Sequence, residues 1–160
     1  MPDEKPASDR ILLRRAAAED IPLLSAIEAE CLEQPWSRTS LAQLLSNESA
    51  VCIAAVRQET VIGYGSMYCI ADEGSINNIA VLPAFRRMGI GARILGELVS
   101  AGRRRGATAF WLEVRASNGA ARSLYLKHGF AEKGRRKNYY ENPREDALCM
   151  LLEIQREGLR

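Results

Sequence analysis

The chain has 160 residues, 47% of them apolar and 26% charged, and carries a formal net charge of +2. That balance is the ordinary one of a folded globular chain and excludes a disordered one. Near-neutral charge also removes any overall pull toward nucleic acid or an anionic membrane, so an anion site must be local.

In chain order, residues 1–10 hold two prolines and mixed charges and read as a flexible lead without the apolar stretch of a signal peptide. No later run approaches the length of a membrane span, and a cytoplasmic setting is expected. Residues 11–15 are a short strand candidate. Asp20 is a possible cap for an amphipathic helix carrying Leu23, Leu24, Ile27 and Cys31, ended by Gln34-Pro35-Trp36. Ser37 suits the cap of a second helix with Leu41, Leu44 and Leu45 on one face, stopping near Asn47. Residues 51–56 and 61–70 are β-rich runs that form a hairpin across Arg57-Gln58-Glu59-Thr60, and a turn at Asp72-Glu73-Gly74 leads into a strand over 75–82. Ile90, Ile94, Leu95, Leu98 and Val99 have helical spacing over 89–105, with arginines at the C-terminal end where the helix dipole favours them. A strand over 108–114, a helix over 118–128 and strands over 130–139 and 146–154 follow, then a polar tail over 155–160. The strand-helix-strand order between residues 75 and 114 requires a parallel pair, whereas the preceding meander is antiparallel. An α/β chain results, with one domain over 11–154, a mixed sheet and helices on both faces.

The four cysteines, Cys31, Cys52, Cys69 and Cys149, are widely spaced, and with His128 the sole histidine no zinc spacing exists. Each lies in or beside an apolar run, which predicts small buried hydrophobes rather than disulfides or metal ligands.

The segment Arg86-Arg87-Met88-Gly89-Ile90-Gly91 stands between a strand and a long helix. The first turn of a helix has backbone N–H groups without internal partners and a partial positive charge, so a diphosphate can accept several hydrogen bonds there. Gly89 and Gly91 permit close approach, and Arg86 or Arg87 adds charge. No third glycine and no Gly-Lys-Ser/Thr follows, which disfavours dinucleotide and P-loop sites.

This segment fits the motif Gln/Arg-x-x-Gly-x-Gly/Ala, and on it the chain resembles the GNAT acetyltransferase superfamily over residues 11–154. Four further segments resemble its RimI-type members: Pro35-Trp36-Ser37, Asn78-Ile79-Ala80-Val81, the run from Trp111 to Asn118, and Asn138-Tyr139-Tyr140 followed by Glu145-Asp146-Ala147. The resemblance implies a GNAT-like, mostly antiparallel sheet of six to seven strands and acetyl-CoA as co-substrate, with no metal. It implies that Ile79, Ala80 and Val81 pair with the pantetheine arm, that the amides of Arg87, Met88, Gly89, Ile90, Gly91 and Ala92 hold the pyrophosphate, and that Asn118 contacts the cofactor arm. Asn118 is also a good helix N-cap. The implied acceptor is a protein N-terminus, the terminal alanine of a small-subunit ribosomal protein, with no membrane and no direct nucleic-acid partner. Glu33-Gln34 departs from this pattern, since RimI-type chains often have a more apolar lead into Pro-Trp-Ser, and the departure bears on peptide preference.

Acetyl transfer needs a neutral amine, yet an α-amino group has a pKa of about 8, so a base must take a proton. Strand alternation puts Phe110, Leu112 and Val114 on one face and Trp111, Glu113 and Arg115 on the other, which makes Glu113 the candidate base, its plainer alternative being an ion pair with Arg115. The resemblance assigns the acid to Tyr125 in Ser-Leu-Tyr-x-x-x-Gly-Phe, a position that otherwise reads as a packing aromatic. A backbone N–H near Val81 is placed to polarise the thioester carbonyl, so that direct attack suffices. Tyr139 and Tyr140 are candidates for the pocket of the acceptor's first residue. Two other readings stand beside this one: acetylation of lysine side chains or small amines, and a non-catalytic module binding acetyl-CoA or RNA through Arg103-Arg104-Arg105 and Arg135-Arg136-Lys137.

Overall fold

The computed structural model describes residues 10–154; all of the expected lead except Arg10, and the tail, lie outside the described residues. The elements are β1 (Leu12–Arg15), α1 (Ile21–Cys31), α2 (Arg38–Ser46), β2 (Ala50–Arg57), β3 (Thr60–Ile70), β4 (Glu73–Val81), α3 (Ile90–Arg104), β5 (Ala109–Arg115), α4 (Gly119–Lys127), β6 (Ala131–Tyr140) and β7 (Glu145–Glu153). They form one mixed seven-stranded sheet of order β1-β2-β3-β4-β5-β7-β6, in which only β4 and β5 run parallel. The crossover through α3 supplies that parallel pair, as the order of elements requires.

Strand β2 shows how the two layers arise. Val51, Ile53 and Ala55 face a core shared with Ile90, Ile94, Leu95 and Leu98 of α3, whereas Cys52, Ala54 and Val56 face Leu24, Ile27, Leu41 and Leu44 of α1 and α2. Period-two alternation thereby commits one strand to helices on both faces, and the continuous apolar run of β2 is its signature.

Three local readings change. Asp20 does not cap α1; its carboxylate accepts from the Ala17 N–H at 2.7 Å and from Arg14 at 2.7 and 2.9 Å, closing a 3₁₀ turn at Ala18–Asp20 that ties β1 to α1. The turn before β4 falls earlier, at Ala71 with φ 56°, and Gly74 lies inside the strand, where a Cβ would stand 2.7 Å from the Phe110 ring. The β2–β3 strands run further than their apolar cores, so that Gln58 and Glu59, at φ 48° and 65°, alone make the turn.

Candidate active site

Strands β4 and β5 pair over three positions only, Glu73↔Ala109, Gly74↔Phe110 and Ser75↔Trp111. Beyond Ser75 and Trp111 they part. The wedge between them is a cleft of about 1190 Å³ lined by residues 75–79 of β4 and 111–115 of β5, by Asn118 and Tyr125, by the α1–α2 loop with Trp36, and by Arg136, Tyr139 and Tyr140 of β6.

The β4 side of this wedge is a strand edge. Tyr64 pairs with Ala80, and Leu82 N–H donates to the Ile62 carbonyl at 2.9 Å. Ladder alternation therefore commits the polar backbone of Ala80 to β3 and turns that of Ile79 and Val81 outward. Arg86 Nε donates to the Val81 carbonyl at 3.0 Å and Cys31 Sγ approaches the same oxygen at 3.5 Å, which pins the chain as it leaves β4. A 3₁₀ turn at Pro83–Phe85 then leads to Arg87, at φ 66°, and Gly89, at φ 76°, which caps α3. A Cβ at Gly89 would have no atom within 4 Å, so the space above the first turn of α3 is open. Helix geometry leaves the N–H groups of Gly89, Ile90, Gly91 and Ala92 without partners inside the helix. An open, left-handed turn with convergent N–H donors and an adjoining strand edge fits a diphosphate carried on an extended arm.

On β5, Phe110, Leu112 and Val114 are buried, and Glu113 faces the cleft with 28% of its side chain exposed. Its partner is not Arg115 but Arg136, whose Nε lies 3.2 Å from Oε1. The Tyr139 hydroxyl also hydrogen-bonds to Glu113, an interaction that raises the phenol's pKa. Burial pushes Tyr125 up to about 12, with the neighbouring Tyr140 adding to it; burial does the same to Tyr140, also to about 12, reinforced by the charge of Glu113. Every phenol around Glu113 therefore holds its proton at neutral pH. Tyr125 projects from α4 and packs its ring against Phe130 at 5.9 Å. Asn118 caps that helix, its Oδ1 accepting from Ala121 N–H at 3.1 Å, while the residue also lines the cleft. His128 ends the helix, with Nδ1 3.0 Å from the Leu124 carbonyl.

Arg115 turns to the rim of the cleft. It meets Glu33 at 2.9 Å, Glu145 at 3.5 Å and the Pro143 carbonyl at 3.0 Å, and stacks 4.3 Å over the Tyr140 ring. Glu145 in turn accepts from Ser117 N–H at 3.0 Å. The Arg115–Asn118 and Glu145–Ala147 segments are thus two sides of one junction.

The sequence reading missed Glu28. Its carboxylate is wholly buried and accepts from the Tyr64 hydroxyl, from Asn78 Nδ2 at 3.2 Å and from Trp36 N–H at 3.1 Å, so two residues of the cleft hang from one side chain of α1. Burial raises its pKa. A glutamate in an otherwise apolar helix stripe was its only signal. Arg136 was read as part of a basic cluster; it lies between two register shifts in the ladder of β6 with β7, one of them spanning Asn138 at φ 52°. The cysteines also divide, since Cys52 is buried but Cys31 and Cys149 are half-buried and line the cleft; all four are free thiols.

Residues 21–130 match the acetyltransferase (GNAT) family. The chain is 36% identical to a ribosomal protein bS18-alanine N-acetyltransferase of Escherichia coli, over 84% of this chain and 92% of that one. It is 35% identical to the enzyme of the same name from Haemophilus influenzae, over 87% and 96%. The crystal structure of the E. coli ribosomal-protein-S18-alanine N-acetyltransferase superposes with a TM-score of 0.87 at 33% identity, covering 94% of this chain and 98% of that one. That of Ard1 from Thermoplasma volcanium gives 0.83 at 25% identity, over 91% and 99%. A match to the family over residues 21–130, 36% identity over 84% of the chain and a TM-score of 0.87 lead to one conclusion: this chain belongs to the acetyltransferase (GNAT) family, in its RimI-like branch.

Proposed function

We propose that the protein transfers the acetyl group of acetyl-CoA to a protein N-terminal α-amine, that of the terminal alanine of ribosomal protein bS18, in the cytoplasm. The observation that carries this reading is the cleft between β4 and β5, which brings the Glu113 carboxylate and the protonated Tyr125 phenol together with Ile79 and Asn118; the start of α3 lies outside its lining but adjoins Ile79, 3.9 Å from a Cβ built at Gly91. Bound there, acetyl-CoA supplies an activated acyl group and a thiolate leaving group. Arg87 and the amides from Met88 to Ala92 hold the pyrophosphate, the outward groups of Ile79 and Val81 pair with the arm, and Asn118 and Ala80 border it.

Glu113 accepts the proton that the α-ammonium must lose before its nitrogen can attack, with Arg136 and Tyr139 holding the carboxylate in place. The Val81 N–H lies on the edge where the acyl oxygen gains charge. Tyr125, protonated throughout the neutral range, donates its O–H to the departing sulfur.

Mass spectrometry of an alanine-initiated peptide incubated with protein and acetyl-CoA tests the reading, with an N-terminally blocked, lysine-containing peptide as the control. One added acetyl on the first peptide and none on the second is expected; the reverse would transfer the activity to lysine. Glu113→Gln and Tyr125→Phe should each lower turnover by roughly 10²-fold with acetyl-CoA binding retained. Unchanged turnover in both would overturn the two assignments.

A further inference from the structure

Resting on that reading, we infer that Glu33 and Arg115 form a strap across the acceptor side of the cleft, which sets the width of the entrance and with it the size of the first residue admitted. Both residues line the cleft, from opposite sides. Arg115 ends β5, past the point where the parallel pair has parted, and its side chain is four-fifths buried. On the β6–β7 side it donates to the carbonyls of Pro143 at 3.0 Å and Glu141 at 3.4 Å, lies 3.5 Å from Glu145 and covers the Tyr140 ring. A planar group with five donors can make all these contacts at once, which anchors it there. The Nη2 that donates to the Glu141 carbonyl also faces the α1–α2 loop, where it meets Glu33 at 2.9 Å.

The two halves of the strap are unequal. Arg115 is held by the turn, whereas Glu33 is 53% exposed and makes no other side-chain hydrogen bond or ion pair among the described residues. Glu33 is therefore the releasable end. The loop that it restrains carries Gln34 and Trp36 into the cleft, and the turn that Arg115 restrains carries Tyr140 and Glu141. Joining the loop to the turn holds these walls at one separation. Glu33 and Arg115 act on the acceptor through those walls and are positioning residues.

Steady-state kinetics with alanine-initiated and leucine-initiated peptides should be measured for the unmodified protein, Glu33→Gln, Arg115→Gln and the double variant. Glu33→Gln is expected to raise the KM of the alanine peptide about two- to fivefold, the range of an exposed ion pair. It should also narrow the preference for alanine over leucine, with the KM of acetyl-CoA unmoved and kcat less affected than the peptide KM. Because Glu33 acts through Arg115, its substitution should add nothing in the Arg115→Gln background. Equal effects of Glu33→Gln in both backgrounds, or an unaltered peptide preference, would overturn the strap. Hydrogen exchange supplies a readout independent of turnover: residues 32–37 should exchange faster in Glu33→Gln, and both 32–37 and 141–145 in Arg115→Gln. Failure of the unmodified protein to acetylate either peptide would overturn the reading of the site, and unchanged exchange would overturn the strap by itself.

Discussion

Tyr125 keeps its proton because the phenolate would be buried against Phe130 with Tyr140 beside it. Its folded-state pKa of about 12 lies above the ordinary phenol value of about 10, so its contribution to stability is complete below pH 10 and is lost as pH rises toward 12. Tyr125→Phe should accordingly weaken the loss of stability between those pH values, read as the urea midpoint against pH; Tyr140 contributes a similar slope that stays. The same experiment separates a proton-holding role from a packing role, because Phe preserves the ring. Glu113 shows what residue-level reading can reach. Its face followed from period two in β5, but its partner did not, because Arg136 comes from another strand, whose register shifts against β7 are invisible to periodicity.

Helix starts carry most of the predicted cofactor contacts, and they can be tested as elements. Gly89 occupies the left-handed region with open space around its missing Cβ, so Gly89→Ala meets backbone strain of about 1 kcal/mol and puts a methyl into the space proposed for the pyrophosphate. A small fall in melting temperature together with a KM for acetyl-CoA raised roughly tenfold is expected, tenfold corresponding to about 1.4 kcal/mol. Asn118→Ala removes the cap of α4 and should destabilise the protein by about 1 kcal/mol in urea titration. If Asn118 also touches the cofactor arm, calorimetry will show weaker acetyl-CoA binding; Asn118→Asp, which keeps a capping oxygen, separates the two effects. The arginine-glycine segment was legible because helix-start physics is local, whereas the displaced role of Asp20 was not, since Arg14 reaches it from another element.

At the scale of the molecule, the junction of β4, β5 and α3 decides where the cleft opens. Phe110 is fully buried, and Cβ atoms built at Gly74 and Gly102 would stand 2.7 Å and 2.5 Å from its ring. The ring fills a slot that two glycines leave, and this packing closes the parallel pair at its start while the strands diverge beyond it. Gly102→Ala should therefore overpack a site with no room to yield and destabilise the fold by about 1–3 kcal/mol, measurable by urea unfolding, although residue 102 touches no part of the cleft lining. Gly74, read in sequence as a turn residue, has this packing role instead, which only a residue more than thirty positions away explains.

The sequence by itself determined the element order, the parallel crossover, the glycine-led start of α3, and the strand face of Glu113 and the helix of Tyr125, because each rests on local periodicity, capping chemistry or a short motif. Tertiary structure alone decided which groups meet: Glu113 with Arg136, Arg115 with Glu33 and Glu145, and Glu28 beneath Trp36 and Asn78. Those partners come from separate elements, and their meeting depends on strand register and the point where β4 and β5 part, quantities that the spacing of residues along one segment does not contain.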